Sequence, residues 1–494
     1  MTKYIFFFTC FFINNLFTQN WISFSDNIQS EQFQLEYFPE NLYDIDVANN
    51  GNTACIGDFG YDSSEFDRVG KVTVYDYIDT RWQIRGNPIF FGDEVGDFGR
   101  KVAITQDGNT VVATSTETKN SSGENIGSAS VFEWKNGSWL QKGATILGIE
   151  NIGYGASVTI SDDGNTIVVG APESWSRIFT YKFIDGEWQL VSSFRPEVVF
   201  YLDIGKDLSL AANGLRLAVG LDEIPTTQND ISSTRGVVIV YDWINNEWAQ
   251  SSNPIVGEQR VDGILSGIFF GASLNINPAG TTLVVGAPQQ NSTQNMAAGA
   301  VTVYSLSGNE WVQIGNTIYG EEFYEEFGTS VAISQSGDRI ISGVGNFVEI
   351  GKARVYDLEN GDWRKVGEDI QRRDDVAFGN IVDIASDGKI IFVGGAEFVS
   401  SLSMGTITSI NEMTKKIDYQ LITTPDGFFE INFETTYDYL EINQYDIMGR
   451  KLYESIYDHA SFTSGQLKKQ PSISFLEIII ENRMREVIPI LVHD

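Results

Sequence analysis

The sequence predicts an all-β protein, in which a seven-bladed β-propeller of four-stranded antiparallel blades is followed by a small β-sandwich. Three observations support this prediction. One unit recurs along most of the chain, two sequence landmarks each occur seven times, and a strand-rich tail lacks both landmarks. The clearest copy of the unit, Phe270 to Ile318, serves as the template for the others.

The template contains four short runs with β character, separated by breaks rich in Pro, Gly, Asn and Ser. These runs are Ser273 to Ile276, Thr282 to Gly286, Ala300 to Tyr304 and Trp311 to Ile314. The third run is almost continuously apolar, which is typical of a sheet covered on both faces. A single four-stranded sheet cannot cover its own faces, so we expect neighbouring units to do so.

The first landmark is the glycine of a tight turn, often within Asp-Gly or Asn-Gly, after the first strand of each unit. Successive glycines lie 50 to 66 residues apart, a spacing that fits one propeller blade with its loops. The seven glycines are Gly51, Gly108, Gly164, Gly214, Gly280, Gly337 and Gly388.

The second landmark is a tryptophan that opens the fourth strand, usually with an apolar residue seven positions later. The seven tryptophans are Trp21, Trp82, Trp139, Trp188, Trp248, Trp311 and Trp363. Trp188 opens the weakest copy, because Arg195 occupies the usual apolar position. Trp21 precedes the first turn and no tryptophan follows the last turn. We therefore expect the Trp21 strand to complete the last blade and close the ring, which removes exposed sheet edges.

The units resemble FG-GAP repeats, the blade type of integrin α-chain propellers and of many bacterial surface proteins. The resemblance covers roughly Trp21 to Ile410 and implies a fold more than a function. Complete motifs are Phe270-Gly271 with Gly286-Ala287-Pro288, and Tyr154-Gly155 with Gly170-Ala171-Pro172. Partial motifs are Phe98-Gly99, Phe327-Gly328 with Gly343, and Phe378-Gly379 with Gly394-Gly395.

The calcium loops of that family are not carried over to this chain. Family members often hold calcium in an Asp-rich hairpin between the first two strands. Here the hairpin is as short as Gln106 to Asn109, whereas calcium needs six or more oxygen ligands. No cofactor is required by the sequence, and calcium at other acidic loops stays an open alternative.

The N-terminal residues 1–19 are predicted to be a cleaved signal peptide, with Lys3 followed by a run of Phe and Ile and a polar exit. The apolar run is too short for a transmembrane anchor, and the residues before Cys10 match a lipoprotein signal poorly. Removal of the signal leaves Cys55 as the only thiol, so no intramolecular disulfide can form. Residues 20–410 are then the propeller.

Residues 411–416 are predicted to link the propeller to a second domain, 417–494, that contains both histidines, His459 and His493. Segments 424–431, 440–452 and 475–480 are predicted strands. Tyr445 to Arg450 is similar to the C-terminal sorting domain of the Bacteroidetes type IX secretion system. This resemblance implies the outer-membrane secretion machinery as a partner, and a secreted or cell-surface location reached through the periplasm. An accessory immunoglobulin-like sandwich is the alternative.

Charge and composition exclude several function classes. The formal charge of −33 argues against nucleic acid or an anionic membrane as a partner. No histidine lies in residues 20–410, which excludes Ser-His-Asp, Cys-His and His-based metal sites there. Cys55 follows Ala54 in an apolar strand and is predicted to be a buried small residue. We expect a non-enzymatic binding or adhesion protein. A carboxylate-dependent polysaccharide hydrolase or lyase remains the alternative.

Loop lengths predict which face of the ring binds. In a meander the first and third turns share one face, and both are short here. The second-to-third loops and the blade connectors share the other face, and they are long, as in 58–68, 114–126, 221–235 and 257–269. Variable loops on a rigid scaffold are where binding usually occurs.

Acidic and aromatic residues are concentrated in those long connectors. The candidate ligand-binding residues are Asp93, Glu94, Asp97, Glu321, Glu322, Phe323, Tyr324, Glu325, Glu326, Asp374 and Asp375. They form either a solvated acidic rim or a site for a protein or glycan ligand. In a site, clustered carboxylates favour a cationic partner surface or a bridging divalent ion.

Overall fold

The chain folds into two units made of β-strands. The computed structural model describes residues 20–23, 28–29, 43–49, 51–62, 68–79, 81–91, 96–149, 152–173, 176–196, 204–227, 230–258, 268–345, 351–372, 377–395 and 398–405, together with seven strands near the C-terminus. No helix in these parts of the chain is long and apolar enough to cross a membrane. The predicted signal peptide 1–19 and linker 411–416 lie outside the described residues.

The first unit, Asn20–Gly405, consists of seven antiparallel sheets, each of which is one blade of a propeller. The first strands of the blades are Tyr43–Val47, Val102–Ile104, Ser157–Ile160, Ile204–Leu210, Ser273–Ile276, Phe327–Ile333 and Ile381–Ile384. The second strands are Thr53–Asp58, Thr110–Ser115, Thr166–Ala171, Arg216–Thr227, Thr282–Ala287, Arg339–Val344 and Ile390–Gly394.

The outer strands of each blade follow in the same order. The third strands are Lys71–Ile78, Ser128–Lys135, Arg177–Ile184, Asp230–Ile244, Ala300–Ser307, Lys352–Glu359 and Phe398–Gly405. The fourth strands are Arg81–Ile84, Ser138–Gln141, Glu187–Phe194, Glu247–Gln250, Glu310–Gln313, Asp362–Lys365 and Asn20–Ser23. Short fifth segments also pair with third strands: Ile146–Leu147, Ile255–Val256, Ile318–Tyr319, Ile370–Gln371 and Ile28–Gln29.

The predicted seven-bladed architecture is confirmed, including the closure of the ring. Asn20–Ser23 pairs antiparallel with Phe398–Gly405, and Trp21 lies opposite Met404. Trp21 is buried in a core cluster with Phe378 and Ile391. The last blade is therefore built from both ends of the propeller, and no blade lacks its outer strand.

The landmark tryptophans join neighbouring blades. The indole Nε1 of Trp139 donates a hydrogen bond to the Arg85 carbonyl of the preceding blade at 2.8 Å. Trp188 bonds the Lys142 carbonyl in the same way at 2.7 Å. The weak copy at Trp188 is visible in the structure as a longer fourth strand, which continues to Phe194.

The Phe-Gly dipeptides fill the seams between blades. Gly271 has a φ of 88°, and its carbonyl oxygen would lie 2.2 Å from a Cβ placed at Gly220 of the preceding blade. The Gly328 carbonyl would lie 2.1 Å from a Cβ at Gly286. These carbonyl oxygens come so close that a side chain would not fit, so the second strand of the preceding blade must have glycine, here Gly220 and Gly286. The motif thus has a packing role in this chain.

The predicted long loop 221–235 was wrong, because most of it is strand. Arg216–Thr227 and Asp230–Ile244 stay paired well beyond Leu221, with Ile224 opposite Arg235 and Thr227 opposite Asp230. The segment contains several β-branched residues, whose strand preference outweighs the Pro and Asn that suggested a loop.

The second unit contains two antiparallel sheets near the C-terminus. One has the strands Tyr419–Thr423, Phe429–Phe433 and Ser464–Leu467; the other has Tyr437–Asp446, Lys451–Ala460, Ser474–Ile480 and Met484–Ile490. Segment 440–452, predicted as one strand, belongs to two strands of a hairpin in which Tyr445 lies opposite Lys451.

Candidate functional site

The tight turns on one face of the ring are joined into a continuous belt. In six of the seven turns, the backbone amide of the second residue donates a hydrogen bond to the equivalent turn of the next blade. The bonds are Asn49 to Gln106, Gln106 to the Asp162 side chain, Asp162 to Ala212, Ala212 to Pro278, Gln335 to Ser386 and Ser386 to Asn49. Their donor–acceptor distances run from 2.8 to 3.1 Å. We call this the turn face.

One position of the belt shows how it tolerates proline. Pro278 accepts from the Ala212 amide but has no N–H with which to continue the belt. The side-chain Nδ2 of Asn277 donates to the Gln335 carbonyl at 3.1 Å instead. All seven blades are thus linked in sequence.

Two arginine side chains donate hydrogen bonds to carbonyl groups of the turn face. Arg216 Nη1 donates to the Gly280 carbonyl of the next blade at 2.7 Å, and its Nε lies 2.6 Å from Asp242 Oδ1. Arg339 makes the same contacts with the Gly388 carbonyl and Asp357. These polar groups of the turn face therefore hold blades together.

The first strands surround a central channel with a cavity of about 740 Å³. Four aspartates and two lysines of its wall come from inner strands or lie next to them: Asp44, Asp46, Asp207, Asp383, Lys101 and Lys206. The sequence prediction missed these residues. The available signal was the alternation of polar and apolar residues in first strands such as Tyr43–Val47 and Ile381–Ile384, which places their polar residues on the channel side.

The channel aspartates act as hydrogen-bond acceptors for neighbouring inner strands. Asp44 Oδ2 accepts from the Val102 amide at 2.8 Å, and Asp46 Oδ2 accepts from the Ile104 amide at 2.7 Å. An innermost strand is an edge strand whose free amides need partners. These carboxylates supply them, so part of the channel acidity is structural.

Burial shifts the titration of the channel carboxyls. It raises the pKa of Asp207 to about 6. Burial raises the pKa values of Asp46 and Asp383, which are neighbours across the seam between the first and last blades. The Asp46 carboxylate adds to the rise at Asp383, and the Asp44 carboxylate adds to the rise at Asp46. The Asp44 carboxylate raises the pKa of Lys101. The Asp46–Asp383 pair therefore holds a proton at pH values where exposed carboxylates are ionised.

The opposite face, which we call the loop face, carries the second-to-third loops and the blade connectors. Four candidate residues, Asp93, Glu94, Asp374 and Asp375, lie outside the described residues. Asp97 is buried, with 1% of its surface exposed. Its Oδ1 accepts hydrogen bonds from the Ser115 hydroxyl and the Thr116 amide at 2.9 and 2.7 Å. This carboxylate anchors a loop from the inside.

The connector 321–326 packs on two buried cationic side chains, Lys352 and Arg354, which the sequence prediction did not include. Glu325 is buried, and its Oε1 lies 2.6 Å from Arg354 Nη2 and 2.9 Å from Lys352 Nζ. Arg354 is fully buried and is also paired with Asp369 at 2.9 Å. Burial alone would raise the pKa of Glu325, but these ion pairs outweigh burial and lower it.

The same connector presents two aromatic side chains to solvent. Phe323 is 60% exposed and Tyr324 is 55% exposed. The Tyr324 amide donates to the Met296 carbonyl and the Glu326 amide to the Ala297 carbonyl, at 2.9 and 3.1 Å. The backbone is therefore fixed to the neighbouring loop while the rings remain accessible. Glu326 is half-buried and accepts from Gln289.

Tyr324 and Glu326 both have a φ of 54°, in the left-handed region that non-glycine residues seldom adopt. Such backbone strain is concentrated at functional sites, where the surrounding contacts maintain it. In this connector the maintaining contacts are the buried ion pairs of Glu325 and the two amide hydrogen bonds.

No group of three or more Asp, Glu, His or Cys residues is arranged to hold a metal ion in the part of the chain that the structure describes. Cys55, predicted to be buried, is fully buried in the strand Thr53–Asp58. Burial raises the pKa of its thiol well above the ordinary value. This prediction is confirmed, and the thiol has the environment of a packing residue.

Comparison with known proteins identifies the fold and no family. No family model matches the sequence, and no curated protein matches it. A chain of the structure titled "Crystal Structure of Mitotic Checkpoint Complex" is similar, with 12% sequence identity and a TM-score of 0.51. The match covers 82% of this chain and 99% of that chain. The propeller fold can mediate binding or protein interaction, and its ligand has to be inferred from the site itself.

Proposed function

We propose that this protein is an exported, non-enzymatic binding or adhesion protein of the FG-GAP type, with its binding surface on the loop face. Its partner would be a protein or glycan of a surface. The C-terminal domain would direct it across an outer membrane through a type IX secretion system, to a secreted or cell-surface location. No cofactor is part of this proposal.

The observation that carries the proposal is the asymmetry between the two faces. Polar groups of the turn face are used in the belt and in bonds between blades. The loop face has large apolar side chains in contact with solvent: Phe90, Leu147, Ile149, Val256, Phe323 and Tyr324. Exposed aromatic residues on a rigid scaffold are typical of interaction surfaces. The exposed large apolar residues of the turn face, such as Ile78 and Ile244, are aliphatic, whereas the exposed aromatic residues among the described side chains, Phe90, Phe323 and Tyr324, belong to the loop face.

The test is binding of the purified full chain to glycan and peptide arrays, with product analysis of every ligand that binds. The loop-face variant combines Phe90→Ala, Ile149→Ala and Tyr324→Ala. The matched turn-face variant combines Ile78→Ala, Ile184→Ala and Ile244→Ala. We expect saturable binding without products, lost in the first variant and kept in the second. Loss of binding only in the second variant would place the binding surface on the turn face and contradict the proposal. Repetition with a calcium chelator tests the calcium alternative.

A carboxylate-dependent polysaccharide hydrolase or lyase is the second candidate, because Asp46 and Asp383 form a carboxyl pair with raised pKa values in a cavity. Binding proteins need no such pair, whereas acid–base catalysis does. Turnover of a polysaccharide that disappears in Asp383→Asn, with a melting temperature no lower than that of the unmodified protein, would favour the enzyme. Absence of turnover across the glycan array would favour the binding protein.

Export is tested separately from binding. A chain that ends at residue 416 lacks the proposed sorting domain and keeps the whole propeller. In a host with a type IX system, we expect this truncated chain to accumulate folded in the periplasm, while the full chain reaches the surface or the medium. Normal surface display of the truncated chain would contradict the sorting role.

A further inference from the structure

The connector 321–326 has the composition and the rigidity of an anchor for one kind of partner. Phe323 and Tyr324 expose their rings, and Glu321 and Glu322 expose 59% and 53% of their side chains directly before them. Two aromatic rings beside two carboxylates form a surface that recognises ammonium and guanidinium groups through ring faces and charge.

The cations below the connector pair most closely with carboxylates other than the two exposed glutamates. Arg354 and Lys352 lie 2.6 to 2.9 Å from Glu325 and Asp369 in the closest contacts, and Lys365 also pairs with Asp369. Glu321 lies 3.5 Å from Arg354, and Glu322 accepts a hydrogen bond from Lys352 Nζ at 3.3 Å, yet both glutamate side chains are more than half exposed. Their exposed carboxylate oxygens can still pair with a partner, and the net charge of −33 favours a cationic one.

Rigidity distinguishes this connector from an ordinary acidic loop. Glu325 Oε2 accepts hydrogen bonds from the amides of Glu321 and Glu322, and Asn295 Nδ2 donates to the Glu321 carbonyl at 2.6 Å. The loop is held in its exposed conformation before any ligand arrives. Binding then requires little further ordering, which favours affinity.

We propose that Glu321, Glu322, Phe323 and Tyr324 form a docking site for a protein segment that presents Lys or Arg side chains next to apolar residues. Phe323 and Tyr324 pack on the apolar part and on the guanidinium or ammonium plane, and the two glutamates pair with the charge. Glu325 does not contact the partner and positions the loop. This inference rests on the proposed binding function of the loop face.

The experiment measures fluorescence anisotropy of a labelled octapeptide of alternating Arg and Leu with the full chain. An octapeptide of alternating Gln and Leu is the neutral probe. We expect saturable binding of the first probe that weakens with added salt, and weak binding of the second. The double variant F323A/Y324A should lose about tenfold or more in affinity, as expected for hot-spot aromatics.

Matched variants separate a site from general attraction to an acidic protein. E321Q/E322Q removes two charges from the connector, and E247Q/E310Q removes two charges from exposed glutamates of the turn face. We expect the first pair to lower both affinity and salt dependence, and the second pair to change neither by more than about twofold. Melting temperatures establish that each variant is folded.

Several results would overturn the docking site. These are equal binding of both peptides, unchanged affinity in F323A/Y324A, or equal losses in the two charge variants. If the peptides fail while a glycan binds to the loop face, the docking inference is wrong and the proposed binding function stands. If neither peptide nor glycan binds to the loop face, both are wrong.

Discussion

The indole nitrogens of the landmark tryptophans lie at the seams between blades. Trp139, Trp188 and Trp363 each donate to a backbone carbonyl of the preceding blade, at 2.7 to 2.9 Å. Trp311 occupies the equivalent position, but its buried Nε1 has no hydrogen-bond partner among the described residues. An unpaired buried donor costs stability, whereas a paired one contributes to it.

The paired indole of Trp139 and the unpaired indole of Trp311 allow a prediction in which Trp311 serves as the control. Trp139→Phe and Trp311→Phe remove the same atoms from half-buried sites. Trp139→Phe also leaves the Arg85 carbonyl unpaired, so we expect it to cost about 1 kcal/mol more in the free energy of unfolding. Urea denaturation of both variants measures the difference. Equal losses would mean that the inter-blade bond contributes nothing.

The tryptophan pattern was visible in the sequence because one residue type recurs at one strand position. Its hydrogen-bond partners were not visible, because each partner belongs to another blade. The channel aspartates show the same limit. Asp44 and Asp46 are ordinary polar residues of an alternating strand, and only the neighbouring strand Val102–Ile104 shows what they bind.

At the scale of elements, the connector 321–326 depends on a buried charge network. Glu325→Gln keeps the shape of the side chain but removes a charge that faces Arg354 and Lys352. Removing one partner of a buried ion pair is expected to destabilise the protein by about 3 kcal/mol. The control Glu321→Gln changes an exposed carboxylate and should cost less than about 1 kcal/mol. Thermal melts compare the two, and equal shifts would contradict the network.

The inner strands predict a dependence of stability on pH. Burial raises the pKa values of Asp46 and Asp383 in the folded protein above the ordinary value of 3.8. The folded state therefore binds more protons than the unfolded state in this range, and stability from this pair falls as pH rises. The loss of stability is complete only above the raised pKa values, where both buried carboxyls are ionised.

Replacement of one carboxyl should remove that penalty. We expect Asp383→Asn to be stabilised relative to the unmodified protein by about 2 kcal/mol at pH 8, and by little at pH 4. Asp387→Asn, at an exposed turn of the same blade, is the control. Urea denaturation across pH measures the effect. A pH-independent difference would show that the pKa of Asp383 is not raised in the folded protein.

Element boundaries could be predicted wherever local signals agreed with pairing. In the template unit, Ser273–Ile276 was predicted with its observed bounds, and the other three strands were within a few residues. The prediction failed at 221–235, where Pro225 and Asn229 suggested a loop within an extended hairpin. The candidate aspartates and glutamates of the connectors were predicted to bind a ligand from their residue type and loop position. Burial of Glu325 against Arg354 depends on a strand that begins far along the chain.

At the scale of the whole molecule, the ring is closed by the strand Asn20–Ser23. Trp21 adds a hydrogen bond from its Nε1 to the Val366 carbonyl at 3.2 Å, across the seam to the preceding blade. The guanidinium of Arg339 lies 5.6 Å from the ring of Trp21. One short strand thus completes the last blade and holds it to the preceding blade.

Loss of this strand should open the ring without unfolding every blade. A chain that begins at residue 30 leaves the edge of Phe398–Gly405 unpaired, and unpaired edges promote association. We expect a lower melting temperature and a shift toward oligomers in size-exclusion chromatography. Trp21→Ala in the full chain should lower stability by about 3 kcal/mol or more while the strand keeps its pairing. A synthetic peptide of residues 20–29 should bind the shortened chain and restore both the monomer and the melting temperature. A shortened chain that stays monomeric with an unchanged melting temperature would show that the ring does not need its N-terminal strand.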